Sequence, residues 1–515
     1  MVQYLNNNSG FSQWNAMQSQ NAKPKRFGFW SWFFVFLLAW LVVGLFMPKN
    51  NTPVETPSFA SIEKSSLALK KVDSNKISFD VQGLRFTNIA LKEHRKSATT
   101  EESVALLSNA DNFVEIDLVS VNTQTPDINT KWSGNAEKMV WKNKSGVEFD
   151  REIFVENYVI HITDTVKNNS NKEIGIKPQI RIVQNSFDTT KNTVETGGIV
   201  YANEDLEYVD WNKLDKKPFY DTSVHSSVGF AEQYWEIVGT IDAKDQKISL
   251  RKTGDLYVAD ADAETIKIAQ GKTATINSYI FAGPRQADVL NVAGENIPGL
   301  SKTIDYGWFW FFAQPMLWML NWLYALVGNY GIAIILMTLI LRLLIWPLTR
   351  KSYASTMAMQ KMQPELQRVQ KLYANDKARL QMEMMKIYQS HKTSPMSGCL
   401  PMLIQIPIFF ALYKALLISV PMRSAHFLWI SDLATKDPYF ILPILMGITM
   451  WIQQVWQTPN KDANGPMAST QKVMKWMPLL FTIMFAWMPA GLVLYWTVSN
   501  LFGMLQMYII KKTMK

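Results

Sequence analysis

The chain has 515 residues, 52 Lys+Arg against 43 Asp+Glu, five His and one cysteine, Cys399. That composition excludes a disordered chain, a collagen-like chain and a disulfide scaffold. The net charge of +9 hides segregation, because residues 49–305 carry 30 basic and 37 acidic side chains while the rest carries 22 and 6. The uncharged runs outside residues 49–305 are too long for a uniformly soluble enzyme.

Residues 1–26 form a polar, Asn/Gln-rich tail with no acidic residue. Residues 27–47 carry no charge and follow Lys23, Lys25 and Arg26. They are long enough for one helical span. A cleaved signal peptide is the alternative. The long apolar core and the lack of a small-x-small site in Gly44-Leu45-Phe46-Met47 favour an uncleaved anchor with its N-terminus in the cytoplasm.

Residues 48–305 read as a soluble domain behind a polar linker, 49–61, with two prolines. Apolar and polar residues alternate at 77–81, 155–165, 179–183, 247–250, 265–269 and 274–281. That period predicts half-buried strands and an all-β sandwich. A helix is expected only near 286–292. His94, His161 and His225 are isolated and lack metal-ligand spacing, so neither a metal nor a cofactor is expected.

Residues 306–348 contain a single charge, Arg342. Aromatic crowding from Trp308 to Tyr324 fits the headgroup level. An interfacial amphipathic helix at 306–327 and a span at 328–348 follow. Residues 349–398 hold nine basic and three acidic side chains. One span before them places this loop in the cytoplasm, whereas two would put it outside, against the positive-inside rule. Further spans are expected at 399–420, 439–457, 475–488 and 492–510, joined by an outer loop at 421–438 and a cytoplasmic loop at 458–474. With the tail 511–515 inside, the chain makes six spans. The acidic domain then sits in a Gram-negative periplasm.

Arg342 is the sharpest single feature. An Arg at mid-bilayer costs roughly 2.5–3.5 kcal/mol on insertion scales, so it needs water or a partner. Snorkelling to the nearby membrane edge is the bland alternative. No Asp or Glu lies in any expected span, so water or an incoming anion must satisfy the charge. Thr338 lies one turn earlier on the same face. Other polar residues also sit in the spans, among them Gln405, Thr449, Gln453, Thr497, Ser499 and Asn500. Each alone suits helix–helix contact; together with Arg342 they would line a polar groove. The 357–391 stretch is basic and methionine-rich and reads as a helical hairpin. Its Met357, Met362, Met382 and Met385 would suit varied apolar partners. Packing of the hairpin on itself explains the same spacing equally well.

Several ordered motifs resemble the YidC/Oxa/Alb family of membrane protein insertases. They are Asp305-Tyr306-Gly307-Trp308 with Gln314-Pro315, Val327-Gly328-Asn329-Tyr330-Gly331 and Pro347-Leu348-Thr349 after Arg342. Gly398-Cys399-Leu400-Pro401, Gln405-Ile406-Pro407, Leu442-Pro443-Ile444 and Gly491-Leu492-Val493-Leu494-Tyr495 with Ser499-Asn500 follow. The resemblance is dense from Asp305 onward and weaker over the preceding domain. It implies a five-helix insertase core with a hydrophilic groove, in which Arg342, Thr338, Gln405, Ser499 and Asn500 match the groove residues. It implies a substrate slide along the third and fifth spans, with Ile404, Ile406, Pro407, Phe485 and Tyr495, and a recruiting cytoplasmic hairpin. It implies a periplasmic β-supersandwich similar in fold to sugar mutarotases, which does not bring their chemistry. Implied partners are nascent membrane proteins, the lipid bilayer, the Sec translocon with its SecD and SecF accessory proteins, the ribosome and the signal recognition particle pathway, and no DNA. The chain departs from the family in its longer N-terminal tail. The five residues after Ile510 do not match the basic ribosome-binding tail of mitochondrial relatives. No ATP or metal motif appears, so the work is expected to come from partitioning and membrane potential, and the resemblance implies an insertase rather than an enzyme. A transporter would need matching halves or an acidic coupling residue, and neither appears.

Overall fold

Alternation of apolar and polar side chains shapes the first half of the chain. In the computed structural model, which describes residues 69–97, 100–108, 111–185, 196–391, 400–457 and 468–513, that alternation becomes two antiparallel sheets of ten and nine strands. The tail 1–26, the apolar segment 27–47, the linker 49–61, Cys399 and most of the 458–474 loop lie outside the described residues.

The strand Ile174–Asn185 lies between Phe113–Val119 and Leu256–Ala263. Its inward Ile180 and Ile182 pair with Ile116 and Val114 on one side and with Ala261 and Ala259 on the other. Branched side chains on a pleated, half-buried surface favour this arrangement. In the second sheet Thr273–Pro284 lies between Val159–Asn168 and Trp235–Ile241. The sheets enclose one core. Gly239 lets them approach, because a Cβ there would stand 3.0 Å from Ile180 Cδ1.

The single strand expected over 155–165 is in fact two, Val147–Glu156 and Val159–Asn168. Asn157 turns the chain with φ 54°, a left-handed conformation that Asn tolerates. A two-residue turn preserves the period-two parity, so the hairpin was invisible in the pattern. Across it Arg151 faces Asp164. The guanidinium donates to both carboxylate oxygens, at 2.7 and 2.9 Å, and reaches the Ile116 carbonyl of the other sheet at 3.1 Å. This buried ion pair ties the two sheets together.

Short helices α1 (Trp211–Leu214) and α2 (Ala287–Ala293) complete the β domain. The second half is helical: α3 (Trp310–Val327), α4 (Tyr330–Leu344), α5 (Trp346–Leu372), α6 (Lys377–Ser390), α7 (Leu400–Ile418), α8 (Ile441–Gln457), α9 (Ala468–Phe485) and α10 (Ala490–Thr513). Gly328 ends α3 at φ 68°, and Asn329 Oδ1 caps α4 by accepting from the Ile332 N–H. Pro347 has no N–H to continue α4, so the chain breaks at Ile345 and bends by 63° into α5. Residues 346–348 therefore belong to the hairpin helix rather than to the preceding span. Asp376 Oδ1 caps α6 through the Arg379 N–H. The helix expected over 475–488 starts earlier, at Ala468, and ends at Phe485. The one expected over 492–510 runs from Ala490 to Thr513.

Among the described residues, α10 alone is long and apolar enough to cross a membrane unaided. The bent pair of α4 with the start of α5 passes the same test together. The apolar stretches Gln405–Ile418, Ile441–Trp456 and Trp476–Phe485 are shorter. Helix length thus does not deliver the expected count of six.

The β domain and the helices meet beyond α7. Val420 packs in the β core. Gln233 Nε2 donates to the Leu417 carbonyl at 2.9 Å. The Arg423 guanidinium donates to the carbonyls of Arg95 and Lys96 and lies 5.4 Å from the Trp235 ring. Beside it, burial pushes the Glu232 carboxyl up to about 7, opposed by the charge of Arg423. The folded chain holds that proton to a higher pH than the unfolded chain does. Stability should therefore fall as pH rises from about 4.5 to about 7. Glu232→Gln is expected to flatten that window. Thermal melts of the two proteins at pH 5 and pH 8 check it, and parallel curves would refute it.

Candidate functional site

Several polar residues of the helical half lie around Arg342. It lies in the last turn of α4, and its Nε and Nη2 both donate to Ser499 Oγ on α10, at 2.9 and 2.6 Å. One turn earlier on α10, the Tyr495 hydroxyl accepts from Gln405 Nε2 of α7 at 2.7 Å. Separate hydrogen bonds thus tie α10 to α7 and to α4. On the other side, Asn500 Nδ2 donates to Thr449 Oγ1 of α8 at 3.2 Å. The Tyr353 hydroxyl of α5 donates to the Gly503 carbonyl at 3.4 Å.

The electrostatics follow from what is near the guanidinium. The ion pairs of the helical half among the described residues are Lys386–Glu383 and Lys414–Asp305, and Arg342 is in neither. A neutral hydroxyl holds a full positive charge that is half-buried between helices. Five N–H donors fan out from a guanidinium. Those that Ser499 does not use suit a carboxylate or water. A permanent charge in a low-dielectric surrounding acts more strongly than in water.

Of the expected groove residues, Ser499 bonds Arg342, Gln405 bonds Tyr495 one turn away from Ser499, Gln453 lies beside Gly503 as Arg342 does, and Asn500 bonds only Thr449. Thr338 does not bond Arg342; it is fully buried, and its hydroxyl donates to the Ile334 carbonyl of its own helix at 2.6 Å. Thr497 likewise bonds Val493 O. Of the expected slide residues, Ile406 and Pro407 are half-buried on α7, where Ile404 also lies. Phe485 and Tyr495 are buried between helices, with Phe485 packed 5.2 Å from Trp496 and 5.8 Å from Phe409. In the hairpin, Met362 is buried against Leu366 and Tyr388. Met382 and Met385 are exposed and Met357 is intermediate.

Sequence reasoning missed Tyr353, Gly503 and Gln506. Gly503 leaves room for the arginine, because a Cβ there would touch Arg342 Nη1 at 3.6 Å and Gln453 Nε2 at 3.5 Å. Its spacing of four from Ser499 was the available signal. The outer loop was missed too. Leu433 O accepts from the Gly491 N–H at 2.9 Å, Thr435 O accepts from the Ala490 N–H at 2.7 Å, and His426 O accepts from Asn329 Nδ2. The loop thereby seats on the first residues of both α4 and α10, opposite the end where Arg342 lies.

In the β domain a cavity of about 680 Å³ opens on the outward face of the ten-stranded sheet. Arg181 pairs with Asp260 at 2.7 Å, Arg251 with the same Asp260, and Asp262 with Lys177 beside it, while Asp221 and Lys247 also line the cavity. His94 sits elsewhere, 5.0 Å from Trp235, and His161 stacks on Phe154.

Comparison with known proteins agrees in both halves. The 60Kd inner membrane protein family profile matches residues 322–515, and the YidC periplasmic domain profile matches residues 71–319. Membrane protein insertase YidC of Rickettsia rickettsii (strain Iowa) is 33% identical over 500 residues, covering 87% of this chain and 88% of its own. That of Rickettsia bellii (strain OSU 85-389) is 32% identical over 514 residues, covering 90% and 91%. A crystal structure of active YidC insertase with its first transmembrane domain resolved is 18% identical, with a TM-score of 0.39, and covers 86% of this chain and 93% of its own. A galactose mutarotase related enzyme from Lactobacillus acidophilus is 9% identical at a TM-score of 0.32, covering 42% of this chain and 97% of its own. With curated relatives matched along most of both chains and the periplasmic and membrane parts in their family order, the protein belongs to the YidC family of membrane protein insertases.

Proposed function

We propose that this chain moves nascent transmembrane segments from the cytoplasm into the inner membrane through the polar site around Arg342. One observation carries the reading: Arg342 is held by a neutral hydroxyl and pairs with no carboxylate among the described residues. A substrate with a short acidic outer segment enters from the cytoplasmic side. Arg342 attracts that segment, and Gln405, Gln453, Ser499 and Asn500 replace part of its hydration. The apolar helix then leaves into lipid along Ile404, Ile406 and Pro407 of α7 and the Phe485 end of α9, with Tyr495 packed behind them. Burial of its apolar surface drives release. The membrane potential adds about 2.3 kcal/mol per charge per 100 mV. The outer loop closes the far end.

The topology consistent with this has six spans and both termini in the cytoplasm. The β domain is periplasmic and α3 lies at the interface, where Trp310, Trp318 and Trp322 are exposed. Met382 and Met385 of the hairpin receive substrates. The Sec translocon with SecD and SecF, the ribosome and the signal recognition particle pathway are the partners this role calls for. The reading needs no metal, cofactor or covalent step.

The test is reconstitution. Liposomes holding only the purified protein should protect a small single-span substrate with an acidic tail from protease above empty liposomes. Protection equal to empty liposomes would reject autonomous insertion.

A further inference from the structure

Gln506 is completely buried on α10, and nothing so far gives it a role. Its Nε2 donates to the backbone carbonyl of Arg342 at 3.1 Å. A carbonyl oxygen only accepts, so the amide nitrogen must face α4 and Oε1 must face away. That Oε1 is buried and meets no donor among the described residues. The Arg342 carbonyl belongs to the last turn of α4, where a helix runs out of its own donors. The break at Ile345 follows at once. An end of this kind frays unless something outside the helix holds it.

Residue 342 is therefore held twice from α10: Ser499 holds the side chain and Gln506 holds the backbone. Ser499, Gly503 and Gln506 are spaced four and three apart, on one stripe of the helix. Gly503, between the two anchors, leaves the space that the guanidinium fills.

We propose that Gln506 is the positioning residue of Arg342. It pins the last turn of α4 to α10 and so sets the depth at which the guanidinium meets a substrate. The inference rests on the reading of Arg342 as the receptor for acidic segments. It deepens that reading by placing charge selectivity in a backbone contact rather than in a second charged group.

Gln506→Met keeps the length and removes the donor. The readout is the ratio of insertion of an acidic-tailed to a neutral-tailed substrate in liposomes holding the purified full chain. The ratio is expected to fall about three- to tenfold, the range spanned by one lost hydrogen bond. In an Arg342→Ala background Gln506→Met should leave the ratio where it is. An equal loss on both substrates in both backgrounds would mean packing alone and would overturn the proposal. A second measurement needs no substrate. In a Cys399→Ser background, Arg342→Cys places a thiol at the pinned position, and its alkylation by a water-soluble maleimide reports that position. Adding Gln506→Met should change the rate several-fold, and equal rates overturn the positioning role. A changed rate with a substrate ratio indifferent to Arg342 itself would support the positioning and reject the charge-receptor reading.

Discussion

Arg342→Glu is expected to cut insertion of acidic-tailed substrates at least tenfold while sparing neutral-tailed ones. The magnitude follows from the setting. Two unit charges about 4 Å apart interact by about 1 kcal/mol in water and about 4 kcal/mol at an effective dielectric near 20. The site is half-buried and lies between these limits. Reversing the charge replaces attraction by repulsion, a change of a few kcal/mol, and about 1.4 kcal/mol is tenfold. Arg342→Lys should be milder, because it keeps the charge but loses the forked contact with Ser499. Protease protection in liposomes measures both variants. Unchanged insertion of the acidic substrate by Arg342→Glu would sink the groove mechanism.

The second large effect lies far from the groove. Asp164→Ala should destabilise the β domain by about 3–5 kcal/mol, because it strands a buried guanidinium. Arg151 is 0% exposed and Asp164 2%. The carboxylate takes two of the guanidinium's hydrogen bonds, and the Ile116 carbonyl takes a third. For a domain of this size the melting temperature should drop by roughly 6–20 °C. Replacing both partners, Arg151→Met with Asp164→Leu, should cost much less, since a packed apolar pair is often as stable as a buried ion pair. Thermal melts of the full chain separate the cases. Equal losses in the single and double variants would show that the pair's packing, rather than the unpaired charge, sets the cost.

These two sites differ in how far the sequence revealed them. Arg342 stood out because a charge in a long apolar run is costly wherever it points. Ser499, Asn500, Gln405 and Gln453 were visible for the same reason. Arg151 and Asp164 looked like ordinary charges on alternating strands. Their burial arises only when the turn at Asn157 sets the two strands face to face and the second sheet closes over them. Phe485 and Tyr495 show a different limit of the sequence. Apolar residues in a span can face lipid or neighbouring helices, and composition does not distinguish the two. Here both face neighbouring helices. Met362 has the helical spacing of the exposed methionines, yet that spacing packs it inside the hairpin.

The sequence by itself determined the division into an acidic, alternating domain and a basic, apolar helical part, because charge segregation and hydrophobic period are local properties. It also showed an arginine in an apolar run with no carboxylate in any expected span. The tertiary structure alone decided which neutral groups hold that arginine. Ser499 and Gln506 lie 157 and 164 residues away from it. Only the packing of α10 against α4 brings them within hydrogen-bond reach. The same holds for Arg423, a loop charge like many others until the β domain supplies two carbonyls and an aromatic face to receive it. Hydrogen bonds act over about 3 Å, so contacts between distant segments follow from the fold and leave no mark on local pattern.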